Sequence, residues 1–165
     1  TLGVTMHRAE TAFRHLLAGL SGISILVVFG VVFAGSVSRY AFSAPLQWSE
    51  EAAKYAMIYG CMFGIAYAYL QDRQINFTLV TDLLSRQMRA RLTVIVDVST
   101  LVLGGILAYA GLIFAGKRGG IMASGLGIPM YWAQIAMTVG GVCLVLAALF
   151  RLARLMNKNR PEYEA

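Results

Sequence analysis

The sequence predicts an all-α integral membrane protein of four transmembrane helices with short amphipathic interfacial helices, and three observations carry that expectation. Four long apolar stretches with almost no charge, at 16–38, 53–71, 92–116 and 130–151, alternate with short polar loops. A hydrocarbon layer about 30 Å thick needs about 20 helical residues to cross it, and only the second stretch sits at the short end of that range. The chain is 58% hydrophobic and 13% charged over 165 residues, too apolar for an ordinary soluble surface, whose helices show charge on every outer turn. Finally, Lys and Arg are shared unequally between alternate loops. Arg8, Arg14, Arg73, Arg86, Arg89, Arg91, Arg151, Arg154, Lys158 and Arg160 make ten on one side, and Arg39, Lys54, Lys117 and Arg118 make four on the other. The positive-inside rule then places both termini and the central loop in the cytoplasm, as an even number of spans requires.

A single membrane domain is expected over 1–165. The net charge of +6 reads as a topology signal and as contact with anionic lipid, not as a nucleic-acid footprint. Residues 5–15 have helical spacing, with Met6, Ala9 and Phe13 opposite Arg8 and Glu10, and are expected to form an interfacial helix or an extension of the first span. His7 and His15 have no neighbouring ligand types and read as ordinary interfacial histidines. The first span is too long for the apolar region of a signal peptide. Its Gly19, Ser21, Gly22, Ser24, Gly30, Gly35 and Ser36 are a sign of close helix approach in lipid.

The loop Arg39 to Glu51 turns at Pro45, which disfavours helix in the residue before it. Tyr40, Phe42 and Trp48 suit the headgroup layer. Ser49 is expected to cap the second helix, with Glu50 and Glu51 in its first turn, where the helix dipole favours negative charge. Pairing of these acids with Arg39, Lys54 or a partner's basic patch is the sharper alternative to capping. Cys61 and Cys143 lie near mid-span and read as buried structural cysteines. Ile75, Leu79, Leu83, Leu84 and Met88 recur at helical spacing opposite Asp82, Arg86, Arg89 and Arg91, an amphipathic surface helix near 75–91.

Asp97 is the one acidic residue well inside a span, and a charge there is a functional hypothesis by default. It lies only about 9 Å along the helix from Arg91, so reaching the interface or pairing with a basic residue is favoured over ion translocation. From Gly116 to Pro129 the chain is Gly-rich, an irregular external loop or half-buried hairpin, after which Pro129 starts the last helix near Met130 with Tyr131 and Trp132 as interfacial anchors. Gly140 and Gly141 allow close packing or a bend. No inverted repeat is visible.

The run Arg39-Tyr40, Pro45-Leu46 and Trp48-Ser49-Glu50-Glu51, followed by an apolar span with Gly64 and Ala66, resembles the small membrane subunit of tripartite ATP-independent periplasmic (TRAP) transporters, the DctQ-like family. The resemblance extends through the amphipathic segment to Pro129-Met130-Tyr131-Trp132 and covers most of 16–155. Two departures are local: Gln74-Ile75-Asn76 replaces a basic or His-containing turn, and Thr138 stands near where a proline is expected. The resemblance implies an inner-membrane, non-enzymatic helper in sodium-coupled uptake of an organic acid. Its implied partners are a large multi-span membrane subunit, a periplasmic substrate-binding protein and membrane lipids, with no nucleic acid. It implies no cofactor; sodium belongs to the large subunit, and a bound phospholipid is compatible. Arg39, Trp48, Glu50, Glu51, Lys117 and Arg118 become the candidates for partner contact, since exposed charges steer association. The competing classes are a self-contained four-helix homo-oligomeric exporter, which would want a mid-span acid facing a cavity, and a redox protein, which would want paired ligands or thiols.

Overall fold

The computed structural model describes residues 2–71 and 86–158, whose regular elements are four α-helices. They are α1 (Leu2–Phe42), α2 (Ser49–Leu70), α3 (Arg86–Arg118) and α4 (Tyr131–Lys158). Helices α1, α3 and α4 are long and apolar enough to cross a membrane. Helix α2 is about 33 Å long, but Lys54 and four tyrosines (Tyr55, Tyr59, Tyr67 and Tyr69) make it less apolar.

Of the two forms expected for residues 5–15, the structure shows the extension of the first span: they begin α1, which runs unbroken for 41 residues. No proline or glycine falls between Val4 and Ala18, so nothing in the sequence interrupts the hydrogen-bond ladder. At about 61 Å this helix is twice the hydrocarbon thickness. Of the amphipathic segment expected at 75–91, residues 75–85 lie outside the described residues, and 86–91 form the first turns of α3. Helix α1 stops where Ser43 takes a left-handed φ of 52°. There the Ala44 amide donates to the Ser38 carbonyl at 3.2 Å, a helix-ending turn followed by the proline such ends favour.

Helix α1 packs on α2, α2 on α4, and α4 on α3. The spatial order is therefore α1–α2–α4–α3, with α2 and α4 inside. Small residues make each contact possible. A Cβ added to Gly60 would sit 3.0 Å from Ser24 Cβ, and one on Gly64 would sit 3.1 Å from Ser21 Oγ; Ser21 also donates to the Gly60 carbonyl at 3.1 Å. Between α3 and α4 the backbones nearly touch: a Cβ on Gly141 would lie 2.5 Å from the Ala108 nitrogen. Gly140 likewise has no room beside Met62. Such close approach lets dispersion and weak polar contacts hold helices that lipid cannot drive together. By contrast Gly19, Gly22 and Gly30 of α1 face open space, so the small-residue set of the first span divides between a packed face and a free one.

Two ends can be distinguished. The loop end carries the α1–α2 and α3–α4 connections. The terminal end holds the main cluster of buried residues: Leu17, Ala66, Tyr69, Leu70, Ala147 and Ala148, with Phe13 and Phe150 packed alongside. The expectation that both cysteines are buried is corrected. Cys61 is exposed on the outside of the bundle and Cys143 is half-buried; a thiol is apolar enough to face lipid at little cost.

Candidate functional site

At the loop end, the N-terminus of α2 is the organising element. Ser49 does not cap it: Trp48 occupies the cap position without a side-chain hydrogen bond, and the Ser49 hydroxyl donates backwards to the Leu46 carbonyl at 2.7 Å. The two acids, adjacent in sequence, have different tasks. Glu50 reaches Arg39 at 3.5 Å, with both side chains more than half exposed (68% and 59%), a pair that solvent screens. Glu51 turns the other way. Its Oε2 accepts hydrogen bonds from the Gly125 and Leu126 amides, both at 2.9 Å, and so pins the α3–α4 loop onto α2. Gly125 is required there, because an added Cβ would lie 2.5 Å from the Gln47 carbonyl oxygen. Gln47, Glu50, Glu51, Lys54, Ser124 and Gly125 line an open depression of about 220 Å³. A second depression of about 180 Å³ lies beside Arg39, Tyr40 and Glu50.

The loop end thus gathers Arg39, Trp48, Glu50 and Glu51 in one corner. Lys117 and Arg118 stand apart, exposed on the last turn of α3, and line neither depression. Tyr59 adds a tie that sequence reading missed, donating its hydroxyl to the Trp132 carbonyl at 2.7 Å across α2 and α4.

The membrane-embedded charge resolves differently. Asp97 is completely buried within the bundle, and of the two uses expected for it the structure shows the pairing with a basic residue. Its Oδ1 accepts from the Tyr69 hydroxyl at 2.6 Å and pairs with Arg151 Nε at 3.0 Å. The Arg151 guanidinium also lies 5.0 Å from the centre of the Tyr69 ring. One carboxylate therefore joins α2, α3 and α4. Helix α1 closes the same end through Leu17 and a Glu10–Arg154 pair at 3.6 Å. Removing two charges from water is expensive unless geometry and hydrogen bonds compensate; here a cation and a hydroxyl both meet Asp97 Oδ1, the Tyr69 ring faces the cation, and the buried Oδ2 has no hydrogen-bond partner among the described residues. Arg151 and Tyr69 were not singled out from sequence. A depth count could have found the cation: Arg151 lies about 29 Å from Trp132, and Asp97 about 32 Å from Arg118, along their helices.

Among the described residues no group of three or more His, Cys, Asp or Glu is arranged to hold a metal ion. The described polar groups mostly link helices to one another or fasten a loop. That combination defines a class: a multi-pass helical membrane subunit in which polar chemistry serves assembly of the bundle.

The model of the DctQ component of tripartite ATP-independent periplasmic transporters matches residues 28–158, and the chain belongs to that family. It is therefore a transporter component and a multi-pass inner-membrane protein. The chain is 29% identical over 120 residues to the sialic acid TRAP transporter small permease protein SiaQ of Vibrio cholerae, covering 73% of this chain and 69% of that one. It is also similar to the sialic acid TRAP transporter permease protein SiaT of Haemophilus influenzae, at 34% identity over 70 residues. Those residues are 42% of this chain but only 11% of that much longer protein.

Proposed function

We propose that this chain is the small permease subunit of a sodium-coupled TRAP transporter for an organic acid. In this reading it carries no substrate or sodium site. It acts as a scaffold beside a large translocating subunit, which holds the sodium, and offers part of the surface on which a periplasmic binding protein docks. The match over 28–158 carries the reading. Sialic acid is the first substrate to test, because two relatives are named for it. The resemblance to a short stretch of a much longer permease supports a large membrane partner.

In the proposed topology all four helices cross the membrane and both termini are cytoplasmic. Helix α2 lies antiparallel beside α1 from Gly35–Ser49 at the loop end to Leu17–Leu70 at the terminal end, so a crossing α1 carries α2 with it. The ten-to-four bias of Lys and Arg assigns the terminal end to the cytoplasm. Arg39, Trp48, Glu50 and Glu51 then face the periplasm, where Arg39, Gln47, Glu50 and Lys54 are available to steer a soluble partner. A phospholipid bound at the basic cytoplasmic rim fits the same picture.

Uptake of labelled sialic acid by proteoliposomes tests the reading. The chain alone is expected to give no uptake and no calorimetric binding of sialate or sodium. Co-reconstitution with its large permease, its binding protein and a sodium gradient is expected to restore uptake. Autonomous uptake by the chain alone would establish the exporter instead.

A further inference from the structure

The α3–α4 loop has properties that docking of a soluble partner does not require. It folds as a hairpin in which Ala123 N donates to the Ile128 carbonyl at 2.9 Å and Met130 N to the Ile121 carbonyl at 2.8 Å, with Met122 opposite Pro129. Gly127, at a φ of 64°, donates back to the Ala123 carbonyl, and Tyr131 N donates to the Gly119 carbonyl. Glu51 takes the Gly125 and Leu126 amides. Most amides of this irregular segment are therefore bonded within the protein, which is what non-helical backbone needs near lipid and does not need in water.

The side chains point to the same medium. No charged residue occurs from Gly119 to Phe150. Ile121 is 52% exposed, Met122 64%, and Ile128 and Met130 37% each. A loop bathed in solvent would seldom present four large apolar side chains and no charge. These residues continue directly into Tyr131 and Trp132, which are also exposed, and they follow the exposed cations Lys117 and Arg118. Cations, then apolar side chains, then an aromatic pair, is an order of groups that partitions into a headgroup layer.

We propose that the hairpin 119–130 is a lipid-binding element, lying in the headgroup layer with Ile121, Met122, Ile128 and Met130 directed towards the acyl chains. Its partner is the phospholipid surface. Glu51 is the positioning residue that holds the tip, at Ser124 to Leu126, up against the charged corner. The hairpin thereby separates a lipid-facing base from a water-facing tip. This placement relies on the proposed topology only for the level of the helix ends, and reversing the topology would change the leaflet without changing the contact.

The test uses the full chain in phosphatidylethanolamine–phosphatidylglycerol vesicles, with Cys61→Ala and Cys143→Ala as background. An environment-sensitive fluorophore is attached through Met122→Cys, or Ile128→Cys if the first variant does not fold, and separately through Ser124→Cys. A lipid spin-labelled near the headgroup is expected to quench the 122 or 128 label at least about threefold more than aqueous iodide does. At position 124 the preference is expected to reverse. Equal iodide quenching at 122 and 124 would put the hairpin in water and overturn the proposal. So would a 122 label that neither quencher reaches, which would mean a protein cover. Either result leaves the transporter-subunit reading intact, since that reading is tested by uptake.

Discussion

The two ends of this bundle use acidic residues in opposite ways. At the terminal end one carboxylate, Asp97, is fully buried and held through its Oδ1 by groups from two other helices. At the loop end two carboxylates sit side by side in sequence; one fastens a loop and the other stays in solvent beside Arg39. The buried acid carries a high stability risk and has little freedom to act on anything outside the chain. The exposed acid contributes little stability and remains available to a partner. Burial thus divides charge that ties helices together from charge left in solvent.

That contrast can be broken most severely at Arg151. Replacing it with Leu leaves Asp97 buried and uncompensated, and should cost about 3–5 kcal/mol. Thermal unfolding in detergent would show a large fall in midpoint, and Asp97→Leu with Arg151→Leu together should recover much of it. An Arg151→Leu chain as stable as wild type would mean that the pair does not hold the helices. Next in size is the α3–α4 seam. Gly141→Leu forces side-chain atoms against Ala108 and Gly104 and should destabilise by about 1–3 kcal/mol or more. The same change at Gly30, which faces open space, should leave the midpoint of the isolated chain unmoved.

The loop end should respond less. Glu51→Ala frees two amides and should cost about 1–3 kcal/mol. Hydrogen exchange should rise at Gly125 and Leu126 while the α2 core stays protected, whereas uniform acceleration would argue against a local clamp. Arg39→Ala removes a screened surface pair and should cost under about 1 kcal/mol. Its expected effect is on association with the binding protein, seen as a slower on-rate at low salt that vanishes at high salt.

Much of this was legible in the sequence because membranes impose a simple code. Lengths of uncharged chain located the helices, and Gly140 and Gly141, read as sites of close packing, lie at helix contacts. What escaped depended on three-dimensional meeting points. Asp97 was expected to lie near a basic residue; its partner, Arg151, stands on a helix 54 positions further along the chain. Ser49 looked like a cap, but the turn at Pro45 brings the Leu46 carbonyl within its reach. The Glu51 clamp was hidden because its acceptors' partners are backbone amides, which sequence does not distinguish.

The central claim is that this chain supports transport without carrying cargo or ions, so the buried carboxylate of Asp97 is architecture. Sodium-driven sialate uptake by the complete complex, assembled with the Asp97→Leu/Arg151→Leu chain, measures this directly. Uptake near the wild-type rate is the expected result. A correctly assembled complex that binds substrate but no longer couples its uptake to sodium would contradict the account.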